Sequence, residues 1–516
     1  MNRDELSRAL DREVETLRDE LIQSTTRILQ FETVSGAPDE AGRQRCREQL
    51  AACAQFLETL STKMGFRWLA KPGRWYCIEW PAEKRAGDKR PLVVGIPTHI
   101  DVVPASGQWT HPPFSGTVAD GIIWGRGTQD DKGPLLATLY GLYGLKRVGF
   151  RPAVTTRIII GTQEEIGDWG DLREYFDEHG FPDFGFTPDA NFPIIIAEKG
   201  IVNLEAKAKW DAAASRSSGP VEFVALKGGI RSNVVPDLCE LTIRYPKAER
   251  DAILKELFSV TTQFTVDNPP ASITLLPDKA RDVGDGREEV LISFLGKSAH
   301  GSLPEKGHNA ALDGLKFVAE MDTFPEPARL FARFLQVGCS DFLGNRLDIA
   351  SRHDFVGATT VNLGIVKING TDGQATINVR ATLGMDRKEV IKRAGALAKA
   401  YAEKTGLDFS ITGEEKGHNA HYLDPKLAGK FLTGLQDGFQ AATGEPPELK
   451  AIGGTTYAKA MPNCCAFGPI LESAGEEELA HQADEHITVA SQIRNTKIYG
   501  LAVAYASLNL AEPATA

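Results

Sequence analysis

The stretch GTQEEIG, residues 161–167, closes the apolar run RIII with two side-by-side carboxylates, Glu164 and Glu165. In an extended segment neighbouring side chains point to opposite sides, so this pair can serve two centres at once. One carboxylate could hold a metal while the other handles a proton. THIDVVP (98–104) sets His99 and Asp101 two residues apart, and a metal-bound imidazole usually gives its other N–H to a carboxylate that fixes its tautomer. By itself that pair reads equally as a strand-end histidine beside a surface aspartate. GRGTQDDKG (125–133) places Asp130 and Asp131 in a glycine-rich turn just before a helix. A carboxylate there can bridge two cations through its two oxygens, or simply complement the helix dipole. The two glutamates, Asp189 of FTPDANFP and His481 of ELAHQADEH add the oxygen and nitrogen donors that a pair of zinc ions takes, and this company favours the metal reading.

The segments that must position these residues alternate in pattern. From about residue 90 to 200 short apolar runs (PLVVGI, VTTRIIIG, FGFTP) alternate with helical stretches (GPLLATLYGLYGLKRVG, DLREYFDEHG), which implies an α/β fold with a mainly parallel, helix-flanked sheet. Each apolar run leads to one of the residues above. Open sheets of this kind bind ligands beyond the carboxyl ends of their strands, so the run ends should converge. After Gly200 the texture changes to strand and helix patterns without chemical residues at their ends, beginning with the turn-rich DAAASRSSGP. Two stretches there, GIRSNVVPDLCELTIRYP (229–246) and GIVKINGTDGQATINVRAT (364–382), resemble each other and suggest a duplicated module. The first pattern resumes after about residue 412. The expected organisation is a discontinuous catalytic domain, 1–200 and 412–516, with an inserted α+β lid domain, 201–411.

Composition narrows the function classes. A chain of 516 residues exceeds one ordinary core and can bury several. Its net charge of −11 offers no basic footprint for nucleic acid. The start, MNRDELSRALDREVETLRDELIQ, has apolar residues at helical spacing but no apolar signal-peptide core, and no run is long enough to span a bilayer. Cytoplasmic residence without a membrane partner is the expectation. Seven cysteines without a framework of spacings read as reduced, buried thiols.

THIDVVP, GRGTQDDKG, GTQEEIG, FTPDANFP with the EKG that follows, GGTTYA and AHQADEH, taken in order, resemble the motifs of the di-zinc aminoacylase and carboxypeptidase G family of metallopeptidases. FTPDANFP and the long middle insert are most similar to its dipeptidase V and carnosinase-type branch. The resemblance runs from about Phe31 to His486. It implies that His99 and Asp189 hold one Zn2+, Glu165 and His481 the other, and that Asp130 bridges them, with Mn2+ or Co2+ as possible substitutes. It further implies that Asp101 orients His99, that Glu164 is the general base, and that the Asp130–Asp131 peptide bond is cis. In the insert it implies that His300 of GKSAHGSLPEKGHNA donates to the oxyanion, assisted by Asn233 of SNVVP. Arg380 of INVRAT and the turn Gly453, Gly454, Thr455 would bind the substrate's C-terminal carboxylate. The remaining histidines, His486 among them, match no ligand position. The implied activity is hydrolysis of dipeptides, a small peptide being the partner. An N-acyl amino acid deacylase on the same machinery is the alternative, and a metal-bound scaffold without catalysis a more distant one that the presence of Glu164 opposes. A monomer is expected to suffice, a homodimer remaining open.

Overall fold

The structure, a computed structural model, describes residues 1–83, 91–413 and 417–511. The chain forms two compact units, 1–198 with 421–516, and 199–420. The first is built on a nine-stranded mixed sheet. Its centre is three parallel strands, Thr155–Gly161, Val93–His99 and Phe184–Thr187, with Cys464–Ala466 parallel to the last of these. Val93–His99 is buried along its whole length, which is why it reads as a continuous apolar run: a parallel strand covered on both faces has no solvent side. Antiparallel strands Trp75–Trp80 and Arg67–Lys71 extend one edge, and Ile194–Glu198 with His421–Tyr422 the other.

Helix Lys132–Arg147 is buried nearly all round, and against it runs the long helix Val489–Ala511, itself packed on Pro425–Thr443. The helices meet at glycines. A Cβ on Gly141 would stand 2.7 Å from the Thr496 carbonyl oxygen, and one on Gly434 would stand 2.3 Å from Ala506 Cα. The backbones approach that closely because no side chain intervenes. No helix among the described residues is long and apolar enough to cross a membrane.

The second unit is a nine-stranded antiparallel sheet with helices. Strand Gly200–Lys209 alternates buried and more exposed positions, the pattern of a sheet covered on one face. One order of elements occurs twice in this unit. The hairpin Glu222–Gly228/Leu238–Pro246 is followed by helix Arg250–Asp267 and strand Ser272–Leu275; the hairpin Thr360–Ile368/Asp372–Ala381 is followed by helix Arg387–Thr405 and strand Asp408–Gly413. In each copy one further strand lies between the hairpin and the last strand: Arg287–Leu295 in the first, Gly200–Lys209 in the second. The strand Asp408–Gly413 belongs to this sheet, so the chain returns to the first unit at His421, later than the change of texture near residue 412.

Candidate metal centre

The parallel register puts His99 opposite Gly161, and the loops that leave these two strand ends and that of Phe184–Thr187 carry Asp101, the Glu164–Glu165 pair and Asp189. Asp130 comes from the loop between strand Ile122–Trp124 and helix Lys132–Arg147. His481 comes from the loop before strand His486–Thr488, with a left-handed φ of 64°. These side chains meet as two triads, His99–Asp130–Asp189 and Asp130–Glu165–His481, in each of which the donor atoms lie within 4.8 Å of one another. Asp130 belongs to both, one oxygen to each: its Oδ1 is 2.9 Å from His99 Nε2, its Oδ2 3.0 Å from His481 Nε2. His481 Nε2 is also 3.1 Å from Glu165 Oε2, and His99 Nε2 is 3.8 Å from Asp189 Oδ2. The Asp130–Asp131 peptide bond is cis.

The hydrogen bonds around His99 show what the donors lack. Its Nδ1 lies 2.9 Å from the backbone carbonyl oxygen of Asp101. A carbonyl only accepts, so Nδ1 carries the ring proton and Nε2 presents a lone pair. That lone pair faces a carboxylate oxygen in a fully buried place, two electron-rich atoms with nothing between them. His99 Nε2, Asp130 Oδ1 and Glu165 Oε1 are buried without a hydrogen-bond partner. Buried polar atoms are rarely left so, and a divalent cation in each triad would satisfy them with the nitrogen and oxygen donors that zinc takes. The residues present therefore fit the metals that the sequence implies.

The charge balance carries the same message. Burial opposes ionisation of Asp130, yet the imidazoles of His481 and His99, 3.0 and 2.9 Å away, outweigh it once protonated and hold the carboxyl well below its usual range. Burial and the neighbouring Asp130 push Glu165 up to about 7. Asp189 and Glu164 are raised well above their ordinary values, first by burial and then by the surrounding carboxylates, against the pull of His99. Burial disfavours a charged His481, but Asp130 and Glu165 raise it to about 11. Four acidic side chains are crowded where only protons, or cations, can neutralise them.

One expectation about local geometry needs correction, and another gains detail. The glutamate pair is not at the end of an extended strand: Glu164 and Glu165 lie in a turn closed by the bond from Gly167 N–H to the Glu164 carbonyl, 2.8 Å. Glu165 enters a triad and Glu164 does not, so the turn, and not strand alternation, separates them. Asp101 touches His99 most closely through its backbone, its carboxylate being 3.5 Å away. The Asp101 carboxylate also accepts the backbone N–H groups of Glu164 (3.3 Å) and Glu165 (3.2 Å). It thus ties the histidine strand to the glutamate turn.

Several supporting residues escaped the sequence reading. Buried Glu485 accepts from the backbone N–H groups of Gly127, Gln129 and Asp130 at 3.1, 2.8 and 3.3 Å and pairs with the buried Arg126 at 2.5 Å. Asp171 accepts from Thr162 N–H, Gln163 N–H and the Tyr457 hydroxyl at 2.5, 3.0 and 2.8 Å, fixing the glutamate turn from behind. Glu198, in the EKG after FTPDANFP, accepts from the Thr456 backbone N–H and hydroxyl at 3.0 and 2.6 Å, fixing the loop of Gly453, Gly454 and Thr455. Thr455 Oγ1 itself accepts from Lys459 Nζ at 2.7 Å. A charged residue inside a motif that already has its ligands was the available signal for Arg126, Glu198 and Glu485.

In the second unit Asn233, His300 and Arg380 lie together. Val234 pairs with His300, and the Asn233 carbonyl accepts from Gly301 N–H at 2.7 Å. His300 Nδ1 accepts from the Ser302 backbone N–H, 3.3 Å away, with the Ser302 hydroxyl at 2.6 Å. Its proton is thereby left on Nε2. Burial and the charge of Arg380 lower the imidazole's pKa. Arg380 is buried, its Nε bonded to Asn378 Oδ1 at 2.9 Å, and burial pulls its guanidinium down to about 10. Lys199 lies within electrostatic reach of Arg380, its pKa also lowered, chiefly by burial. The remaining histidines lie outside both triads; His486, for instance, stacks on Trp124 with ring centroids 4.4 Å apart.

Residues 95–505 match the family described as Peptidase family M20/M25/M40. The Bacillus subtilis protein YtjP is 29% identical over 495 residues, 95% of this chain and 98% of that one. The Beta-Ala-Xaa dipeptidase of Lactobacillus delbrueckii subsp. lactis is 31% identical over 422 residues, 81% of this chain and 82% of its own. Among solved structures, human carnosine dipeptidase 1 shares the fold with a TM-score of 0.57 at 13% identity, over 98% of this chain and 99% of that one. With the family match covering most of its length and both triads inside the matched residues, the chain belongs to peptidase family M20/M25/M40.

Proposed function

We propose that the protein hydrolyses dipeptides at a pair of divalent cations, zinc in the first instance, held by His99 and Asp189 on one side, Glu165 and His481 on the other, with Asp130 shared. The observation that carries this reading is the sharing: one aspartate gives one oxygen to each of two histidine-carboxylate triads. The name of the Lactobacillus relative points to the same substrate class. Bound in these triads, the cations would polarise the scissile carbonyl as Lewis acids and bring the pKa of water near neutrality.

The chain's own groups do the rest. Glu164 sits next to a ligand without entering a triad, and acts as general base, taking a proton from the attacking water and delivering it to the leaving amine nitrogen. Asp101 and Asp171 hold the turn that aims it. In the second unit His300 has its ring proton on Nε2, the form that donates to an oxyanion, with Asn233 beside it. Arg380 binds the substrate's C-terminal carboxylate, for which a planar guanidinium offers two parallel donors. The turn at Gly453, Gly454 and Thr455 adds backbone donors.

The test is a substrate panel on chelator-treated protein reloaded with zinc: dipeptides, tripeptides and N-acyl amino acids. Turnover of dipeptides well above the other two classes, absent without metal, is expected. Preference for N-acyl amino acids would replace this reading with deacylation.

A further inference from the structure

The two segments that carry the outer ends of the site are tied to each other by a reciprocal set of bonds that no ligand assignment explains. One segment is the loop 125–131 with Asp130; the other is the loop 477–486 with His481. From the first, the Gln129 side-chain amide reaches into the second: its Nε2 donates to the carbonyl oxygens of Glu477 (3.1 Å) and His486 (2.8 Å), and its Oε1 accepts from Leu479 N–H (2.8 Å). Three of the four bonds an amide can make are thus spent on one loop, and they bracket His481 on both sides. From the second, the Glu485 carboxylate reaches back to accept three backbone N–H groups of the first loop, including that of Asp130 itself. Gln129 is 5% exposed and Glu485 fully buried.

His481 needs such a support more than the other donors do. His99 ends a buried central strand and is itself wholly buried, whereas His481 stands in a loop, at a left-handed φ, with a side chain 53% exposed. Its spacing from Asp130 is fixed neither by a strand register nor by surrounding core. We infer that Gln129, together with Glu485, is a positioning residue for the second metal site: its amide bonds run to the loop of His481, so it sets the distance between the shared carboxylate and His481 and controls the affinity of the Asp130–Glu165–His481 triad while leaving His99 and Asp189 in place. The inference rests on the two-metal reading. Groups that orient metal ligands typically matter by about 10- to 100-fold in metal affinity.

Full-length metal-free protein is titrated with Co2+, following visible absorption, and with Zn2+ by calorimetry, for the wild type, for Gln129→Met, which keeps the length of the side chain and removes its hydrogen bonds, and for His481→Ala as the reference for a lost second site. The expected result is two equivalents in the wild type and, in Gln129→Met, an unchanged first equivalent with the second weakened about 10- to 100-fold, accompanied by an altered spectrum of the second Co2+. Equal affinity for both equivalents in variant and wild type overturns the inference. So does an equal weakening of both, which makes Gln129 a general support of the loop. A wild type that binds fewer than two ions sinks the two-metal reading itself, a separate failure. Should Gln129→Met not fold, Gln129→Glu, which keeps the acceptor for Leu479 and opposes two carbonyl oxygens, is judged by the same split between equivalents.

Discussion

Glu164 and Glu165 are neighbours in sequence with separate fates, and a substitution separates them cleanly. Glu165 lies against His481 in a triad; Glu164 does not enter one. Glu164→Gln should therefore keep both metals and lose about 10²- to 10⁴-fold in kcat, the usual contribution of general acid–base work; loss of metal in this variant would make Glu164 a ligand, and near-normal turnover would remove it from the reaction. That His99, Asp130, Glu165, Asp189 and His481 lie together was legible in the sequence through the ordered motifs that resemble the di-zinc family, the first four of these residues also lying beside a predicted strand or helix end. The manner in which the pair divides was not. Alternation along a strand suggested it, whereas the residues occupy a turn whose direction depends on Asp101, more than sixty positions away in the chain. No local periodicity encodes a bond of that length.

The loops and their anchors decide how the site answers to pH. In the metal-free protein Glu165 stands at about 7 against an ordinary 4.5, pushed up by burial and Asp130, and His481 at about 11 against 6.5, raised by Asp130 and Glu165 over the opposing effect of burial. Both shifts are upward. Their contribution to the stability of the metal-free fold is thus complete below the ordinary values and is lost as pH rises, through about 7 for Glu165 and about 11 for His481. Metal binding needs both groups without protons, so it tightens over the same climb. The gap in Tm between zinc-loaded and metal-free protein should accordingly widen from about pH 5.5 to about pH 7.5. A gap that stays level or narrows would mean that the triads do not exchange protons for metal. The elements themselves were largely readable, since buried parallel strands and amphipathic helices leave opposite hydrophobic patterns. Their anchors were not: Glu485 and Gly127 lie in motifs more than 350 residues apart, and only the folded chain shows that one caps the other.

At the scale of the whole molecule the insert has a sheet and core of its own, and its repeated order of hairpin, helix and strand was visible beforehand as a weak self-resemblance of two segments, 229–246 and 364–382. The half-buried Lys199 and the buried Arg380 were not expected to neighbour one another, since the pairing of Gly200–Lys209 with Asp372–Ala381 is what brings these distant stretches together. If Arg380 binds the substrate carboxylate, Arg380→Ala should cut kcat/KM for free dipeptides about 10- to 100-fold, the size of a hydrogen bond to a charged group, and leave dipeptide amides far less affected. Equal losses for both substrates would give Arg380 a structural role. Underneath every one of these expectations lies the pair of cations, and metal content tests it most directly. Chelator-treated protein reloaded with zinc and freed of excess should hold two ions per chain by elemental analysis, and Asp130→Asn, which alters the one group common to both triads, should lower the affinity of both sites. One ion or none in the wild type, or an Asp130→Asn protein that keeps two with unchanged affinity, would contradict the shared-carboxylate centre.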